Sequence, residues 1–226
     1  MSDESLDSPG VTPDDMRLYW DLHEMRVTLN LHLDNYNELR RQLMALEDTS
    51  LWSQDNDGRV RQTLREVVRT LHNFLASAKT LIDHTRVHMD QFHPEESIRK
   101  AYDQKIRDLN HDNLQSFVQC LRNYTLHRTA AQIGAQISAT PFGPRSGAIL
   151  RVDELLKWDG WTAPATRYIE SAGAEIAVRE AIDEYMKRIK ALYEWLRELD
   201  SSVYCATLKR LSMEIELVPE ISIEGA

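Results

Sequence analysis

The residue types best suited to chemistry stand together in mid-chain, in Leu121-Arg122-Asn123-Tyr124-Thr125-Leu126-His127. Arg supplies a permanent forked cation for phosphate oxygens, Asn a neutral amide that positions, and His a group that titrates near neutrality. These three suffice for RNA cleavage without a metal. A base withdraws the proton of a ribose 2′-hydroxyl, the oxygen attacks the adjacent phosphorus, and a cation stabilises the crowded, anionic transition state. Arg122 and His127 lie five steps apart, about 140° around an ideal helix, so one face of a regular helix does not hold both. Either the helix is distorted locally or the two side chains enter a cleft from opposite flanks. The plainer alternative is a solvated His and an Arg paired with a neighbouring acid.

Two other sets carry weaker chemical signals. His84 and His88 stand at i and i+4, the spacing at which two imidazoles reach one metal ion, with His32, His93 or His111 as further donors. Helical stepping places the pair beside the apolar stripe of their helix and not within it, so two half-exposed polar residues at a helix boundary explain them as well. No metal or other cofactor is therefore expected, and His84 with His88 form the alternative. Arg61, Arg65, Arg69 and His72 follow three- and four-residue steps within about 80° of arc, a row that can track a phosphate backbone, and Arg128 adds a cation beside the central string. No aromatics are interleaved for base stacking. A solvated helix face paired with nearby acids is the bland account of the row.

Apolar periodicity supplies the elements that must hold these groups. Thr12-Pro13-Asp14-Asp15 is a helix start, with a capping Thr, Pro at the first helical position and acids at the positive end. The helix it opens runs to about 48, with Leu18, Leu22, Met25, Leu29, Leu33, Tyr36, Leu39, Leu43 and Leu46 in three- and four-residue steps. A polar turn at 48–58 leads to a second long helix over 59–92, striped by Val60, Leu64, Val67, Leu71, Phe74, Ala78, Leu81, Thr85, Met89 and Phe92. His93-Pro94 ends it and begins another through about 110. A helix over 112–131 then carries Leu114, Phe117, Val118, Leu121 and Tyr124 on one side. Period is lost over 129–147, where IGAQIS and AILRV can pair as a small hairpin within about 132–151. Short helices at 152–158 and 163–172 precede a final long one over 175–211, which buries residues from Ile176 to Val203. Trp158-Asp159-Gly160-Trp161 reads as a corner whose indoles plug the bundle. The expectation is an all-α antiparallel bundle: one domain over 12–211, between a disordered acidic lead-in (1–11) and an acidic tail (212–226).

Composition narrows the classes further. The 226 residues are 42% hydrophobic and 28% charged, an ordinary globular balance. The longest uncharged stretch, 129–144, contains Gln, Ser, Thr, Gly and Pro, so no membrane span is expected. Two cysteines 85 residues apart exclude a disulfide scaffold and suit a reducing cytoplasm, as does the lack of a basic-then-apolar leader. There are 27 bases against 36 acids, but nine of the acids lie unopposed in the first and last sixteen residues. Residues 17–210 are thus neutral, and overall acidity says nothing against a basic patch. Phosphate-cradling glycine loops, HExxH, GxSxG, CxxC and paired ExxH steps are all missing, which removes the usual nucleotide, zincin, hydrolase and di-iron readings.

An Arg followed by a polar residue, with His a few positions later on a core-packed helix, resembles the signature of the HEPN superfamily of helical-bundle ribonucleases. Arg122, Asn123 and His127 match it residue by residue. The resemblance covers 60 to 100 residues around the motif and leaves the chain from Thr140 onward without a counterpart. It implies a bundle that dimerises so that two motifs face each other across one composite cleft. It also implies metal-independent endoribonuclease activity on RNA, with toxin–antitoxin or phage-defence roles and a protein inhibitor or antitoxin as partner. The Tyr that some such toxins carry two positions after the His is here Thr129, so modification at that place is not implied. Two further expectations stand beside this one: a non-catalytic scaffold that binds RNA or protein, and a metal-dependent bundle enzyme using His84 and His88.

Overall fold

The computed structural model describes residues 11–52, 57–127, 133–140 and 143–211, so the 1–11 lead-in (but for Val11) and the 212–226 tail lie outside the described residues. Helix α1 (Pro13–Glu47) opens as its sequence dictates. Thr12 Oγ1 accepts from the Asp15 amide at 3.1 Å and Asp15 Oδ2 accepts from the Thr12 amide at 2.9 Å, a reciprocal cap with Pro13 in the first turn. After a one-turn helix at Thr49–Trp52 come α2 (Asp57–Phe92) and α3 (Glu96–Leu109). Then follow α4 (Leu114–His127), strands β1 (Ile133–Thr140) and β2 (Gly143–Arg151), α5 (Val152–Leu155), α6 (Ala163–Ser171), β3 (Glu175–Ala177), α7 (Val178–Val203) and α8 (Cys205–Arg210).

Cross-helix polar pairs give the directions of the three long helices. Arg17–Gln91, Asp21–His88, His32–Ser77 and Glu38–Arg69 rise along α1 while they descend along α2, so the two are antiparallel. Thr85–Tyr193 and His88–Asp200 rise together, which makes α7 parallel to α2. Tyr36–Asp183 and Glu47–Arg179 run in opposite senses, so α7 is antiparallel to α1. All nine apolar residues expected of α1 are buried; from Met25 onward they share one core with Val67, Leu71, Phe74, Tyr185, Met186 and Leu196, while Leu18 and Leu22 form a smaller cluster with Leu208. Each such side chain contributes roughly 1.5–3 kcal/mol through the surface it removes from water. No helix among the described residues is long and apolar enough to cross a membrane.

The expected hairpin forms, with Ile133 opposite Leu150 and Thr140 opposite Gly143, and it gains a third strand. Residues 175–177, expected as helix, pair instead with 149–151 as β3, and Ile176 is buried there. Gly173, at φ +81°, supplies the left-handed residue that turns the chain out of α6 and toward the strand. The final helix also breaks at Tyr204, leaving Val203 exposed and α8 as a separate turn clamped to α1 by Arg210–Asp15. The mostly helical bundle otherwise has the expected architecture.

The Trp158–Trp161 corner packs into the bundle as the sequence implies. The Tyr124 ring stacks at 5.4 Å on Trp161 and meets Trp158 edge-on at 5.5 Å, and the Trp161 indole N–H donates to Leu155 O at 2.7 Å. Gly160 is required there, because a Cβ would lie 2.5 Å from Cε2 and 2.8 Å from Cη2 of the Trp158 indole. Gly160→Ala therefore drives that ring off Tyr124. A loss of about 1–3 kcal/mol is expected in urea unfolding, together with a changed near-ultraviolet aromatic signal, and an unchanged signal would contradict this packing.

Candidate functional site

Helix α4 carries the central motif, and its first turn is held from two sides. Asn113 sits at φ 68°, a left-handed conformation that Asn tolerates. The Leu114 amide donates to Asp112 Oδ1 at 3.1 Å and the Gln115 amide to Asn110 Oδ1 at 3.0 Å, so side chains satisfy two of the donors orphaned at a helix start. Arg188 of α7 reaches across to bind both oxygens of Asp112, at 2.6 and 2.7 Å, and the Leu109 carbonyl at 2.8 Å. Along α4, Leu114, Phe117, Val118, Leu121 and Tyr124 are buried, and Phe117 stacks at 4.8 Å on Tyr168. Core packing thus fixes the rotation of α4 about its axis.

That rotation leaves Arg122 half-buried and Asn123 exposed, one turn short of the helix end at His127. Arg122 Nη1 donates to Asn123 Oδ1 at 3.5 Å, and no carboxylate lies within ion-pair distance among the described residues. The helix is unbroken through His127, so the local distortion allowed for in the sequence is not seen. Leu126, beside the motif, exposes half its surface. Arg128 lies outside the described residues.

The basic row of α2 is on the surface. Arg61, Arg65, Arg69 and His72 are all exposed, but Arg69 is committed to Glu38 at 2.6 Å and Glu66 at 2.8 Å. Part of the row is therefore neutralised by acids, as the bland account holds. A cleft of about 410 Å³ against the sheet is lined by Glu47, Glu175 and Glu180 with Arg179 as its cation, and Arg179 is itself bound to Glu47 at 2.5 Å. Such a cleft repels phosphate.

The histidines rearrange the expected metal pair. His84 does not converge with His88: its Nδ1 is 2.7 Å from Thr28 Oγ1. His88 is fully buried, because α1 and α7 cover both flanks of α2, and stepping along a lone helix misjudges a position wrapped on two sides. Its Nδ1 is 2.5 Å from Asp21 Oδ2 and its Nε2 3.0 Å from Asp200 Oδ1, while His93 Nε2 is 2.7 Å from that same oxygen. Burial pushes the His88 imidazole down, but the hydrogen bonds and charges of Asp200 and Asp21 outweigh it and hold the group up at about 9. Asp200 is held below the ordinary carboxylate range, because bonds from the two imidazoles outweigh the cost of its burial. His32 lies elsewhere, bonded to Ser77 at 2.9 Å, and burial pushes it down to about 3. His111 is exposed, with Nδ1 beside the Asp108 carbonyl. Asp200 has no signal in sequence, being one acid among many on the last helix.

Comparison with family models, with curated proteins and with solved structures finds no match to this chain.

The clamp on α4 has a measurable pH signature. Hydrogen bonds from Arg188 hold the Asp112 carboxyl at about 2 against an ordinary 3.8, so on acidification the unfolded chain takes up this proton first. The stability it contributes is present above pH 4 and is lost between about pH 4 and 2. Arg188→Gln is expected to cost about 1–2 kcal/mol at neutral pH, allowing for the solvent that screens Asp112, and to flatten unfolding stability across that acid range. Parallel acid profiles of wild type and variant would contradict the clamp.

Proposed function

We propose that the chain is a metal-independent endoribonuclease of HEPN type, a cytoplasmic homodimer in which the ends of two α4 helices share one composite cleft. The observation that carries this reading is Arg122: half-buried at the end of a core-locked helix and bonded, among the described residues, to the neutral amide of Asn123 and to no acid. An arginine so placed keeps its charge available for a phosphate, whereas Arg69, Arg179 and Arg188 are each spent on carboxylates. The unbroken helix supports a shared cleft, since 140° of arc between Arg122 and His127 leaves one copy unable to present both to a phosphate from a single face. Free cysteines, Cys120 buried and Cys205 exposed, suit a reducing compartment.

In this reading His127 of one copy takes the proton of a ribose 2′-hydroxyl, and the freed oxygen bonds to the adjacent phosphorus. The bond from phosphorus to the 5′-oxygen breaks, and that oxygen receives a proton from the imidazole of the second copy. Arg122 stabilises the charge gathered on the non-bridging oxygens, and Asn123 orients the phosphate. The products are a 2′,3′-cyclic phosphate and a 5′-hydroxyl, with no metal in the balance.

RNA incubated with the purified chain in chelator is expected to be cut. His127→Ala and Arg122→Ala should each lower the rate by about 100-fold or more while retaining the wild-type unfolding temperature. Undiminished cleavage by His127→Ala would overturn the assignment. So would loss of cleavage in chelator while the chain stays folded. RNA bound but never cut would instead identify a scaffold.

A further inference from the structure

We propose that His88, His93 and Asp200 form a binding site for a divalent transition-metal cation of zinc type, which staples α2 to α7 beneath α8. This goes beyond the RNA-cleaving reading and concerns a different end of α2 from the basic row.

The donor atoms already converge. One from each residue lies within 4.8 Å of the others, and both imidazoles direct Nε2 at a single carboxylate oxygen. Two imidazoles and one carboxylate form a donor set suited to Zn²⁺. Asp21 supplies the outer partner such a site needs, since its carboxylate holds the proton on His88 Nδ1 and a cation would replace the proton that Nε2 now shares with Asp200. His93 is placed by the backbone, its amide donating to the Met89 carbonyl at 3.1 Å as α2 ends.

Two polar atoms here lack partners, although all three side chains are fully buried. Asp200 Oδ2 and His93 Nδ1 make no hydrogen bond among the described residues. An orphaned carboxylate oxygen in a dry interior is costly, and a second oxygen able to close on a cation removes that cost. Charge gives the same answer. Asp21 and Asp200 carry two negative charges, and coordination requires neutral imidazoles, so a divalent ion brings the cluster to neutrality. Phe92 stacks on His88 at 5.5 Å, and Tyr204 lies 5.6 Å from His93 and donates to the Phe92 carbonyl, with Leu18, Leu22 and Leu208 beyond. With all three donors fully buried beneath these groups, the ion would be structural and not catalytic.

Metal content of the purified full-length chain, followed by removal and readdition of Zn²⁺ or Co²⁺, tests the site. The expected results are one ion per chain, a rise in unfolding temperature on readdition, and visible ligand-field bands of low-coordinate Co²⁺. Asp200→Asn and His93→Gln should lose the ion, while His84→Ala keeps it. Should either core variant fail to fold, Asp21→Asn leaves all three donors in place and is expected to weaken the metal by about 10- to 100-fold. A folded wild-type chain that holds neither ion, with an unfolding temperature indifferent to both, would overturn the proposal and leave a proton-held His–Asp network. RNA cleavage read beside the unfolding temperature separates the two proposals: a chain that unfolds in chelator has lost a staple, whereas a folded chain that stops cutting has lost a catalytic ion.

Discussion

The bundle depends on how three long helices seat histidine between them, His32 and His88 fully buried and His84 half-buried. His32, His84 and His88 are spaced along the seam where α2 meets α1, and each finds a partner on another helix or near it. A buried polar ring without a partner costs on the order of 1–3 kcal/mol, so a slip of one residue between α1 and α2 would orphan several rings at once. Apolar stripes tolerate small slips, because one leucine replaces another. The polar seam does not, and it fixes which turn of α2 faces which turn of α1 and α7. Two of these rings show how far environment decides charge. His32 lies against Phe74 at 4.8 Å with a serine for company and is driven down to about 3, while His88 between two carboxylates is held at about 9.

That register extends to the candidate RNA site. Arg188 stands on α7, and its hold on Asp112 sets where α4 begins. The rings of Phe117 and Tyr124 against Tyr168, Trp161 and Trp158 then set the rotation of α4, which puts Arg122 and Asn123 toward solvent at the far end. The chemistry proposed for the motif thus rests on a chain of positions that starts in the core. A dimer would bring two such ends together without asking either helix to bend.

Much of the fold was legible in the chain because it follows from local pattern. The stripes of α1, α2 and α4, the start at Thr12-Pro13 and the hairpin at 133–151 all reflect near-neighbour spacing, and all are present. The failures are non-local. Glu175–Ala177 reads as the beginning of a helix until a hairpin edge is there to pair with it. His88 reads as flanking until two other helices enclose it. His93 and Asp200 are 107 residues apart, and nothing in their own surroundings says that they meet. At the candidate RNA site the residue types were legible, and so was the burial of the apolar face beside them. The lack of an acid beside Arg122 among the described residues was not, because it depends on which side chains the folded chain brings near.

The chemical identity of the cut ends tests the central claim most directly. An attack by a ribose 2′-oxygen leaves a 2′,3′-cyclic phosphate on one fragment and a 5′-hydroxyl on the other, and substrate fully methylated at its 2′-oxygens stays whole. Fragments ending in a 3′-hydroxyl and a 5′-phosphate, or cleavage of the methylated substrate, would show that water and not the ribose is the nucleophile, and the roles given to Arg122, Asn123 and His127 would fall.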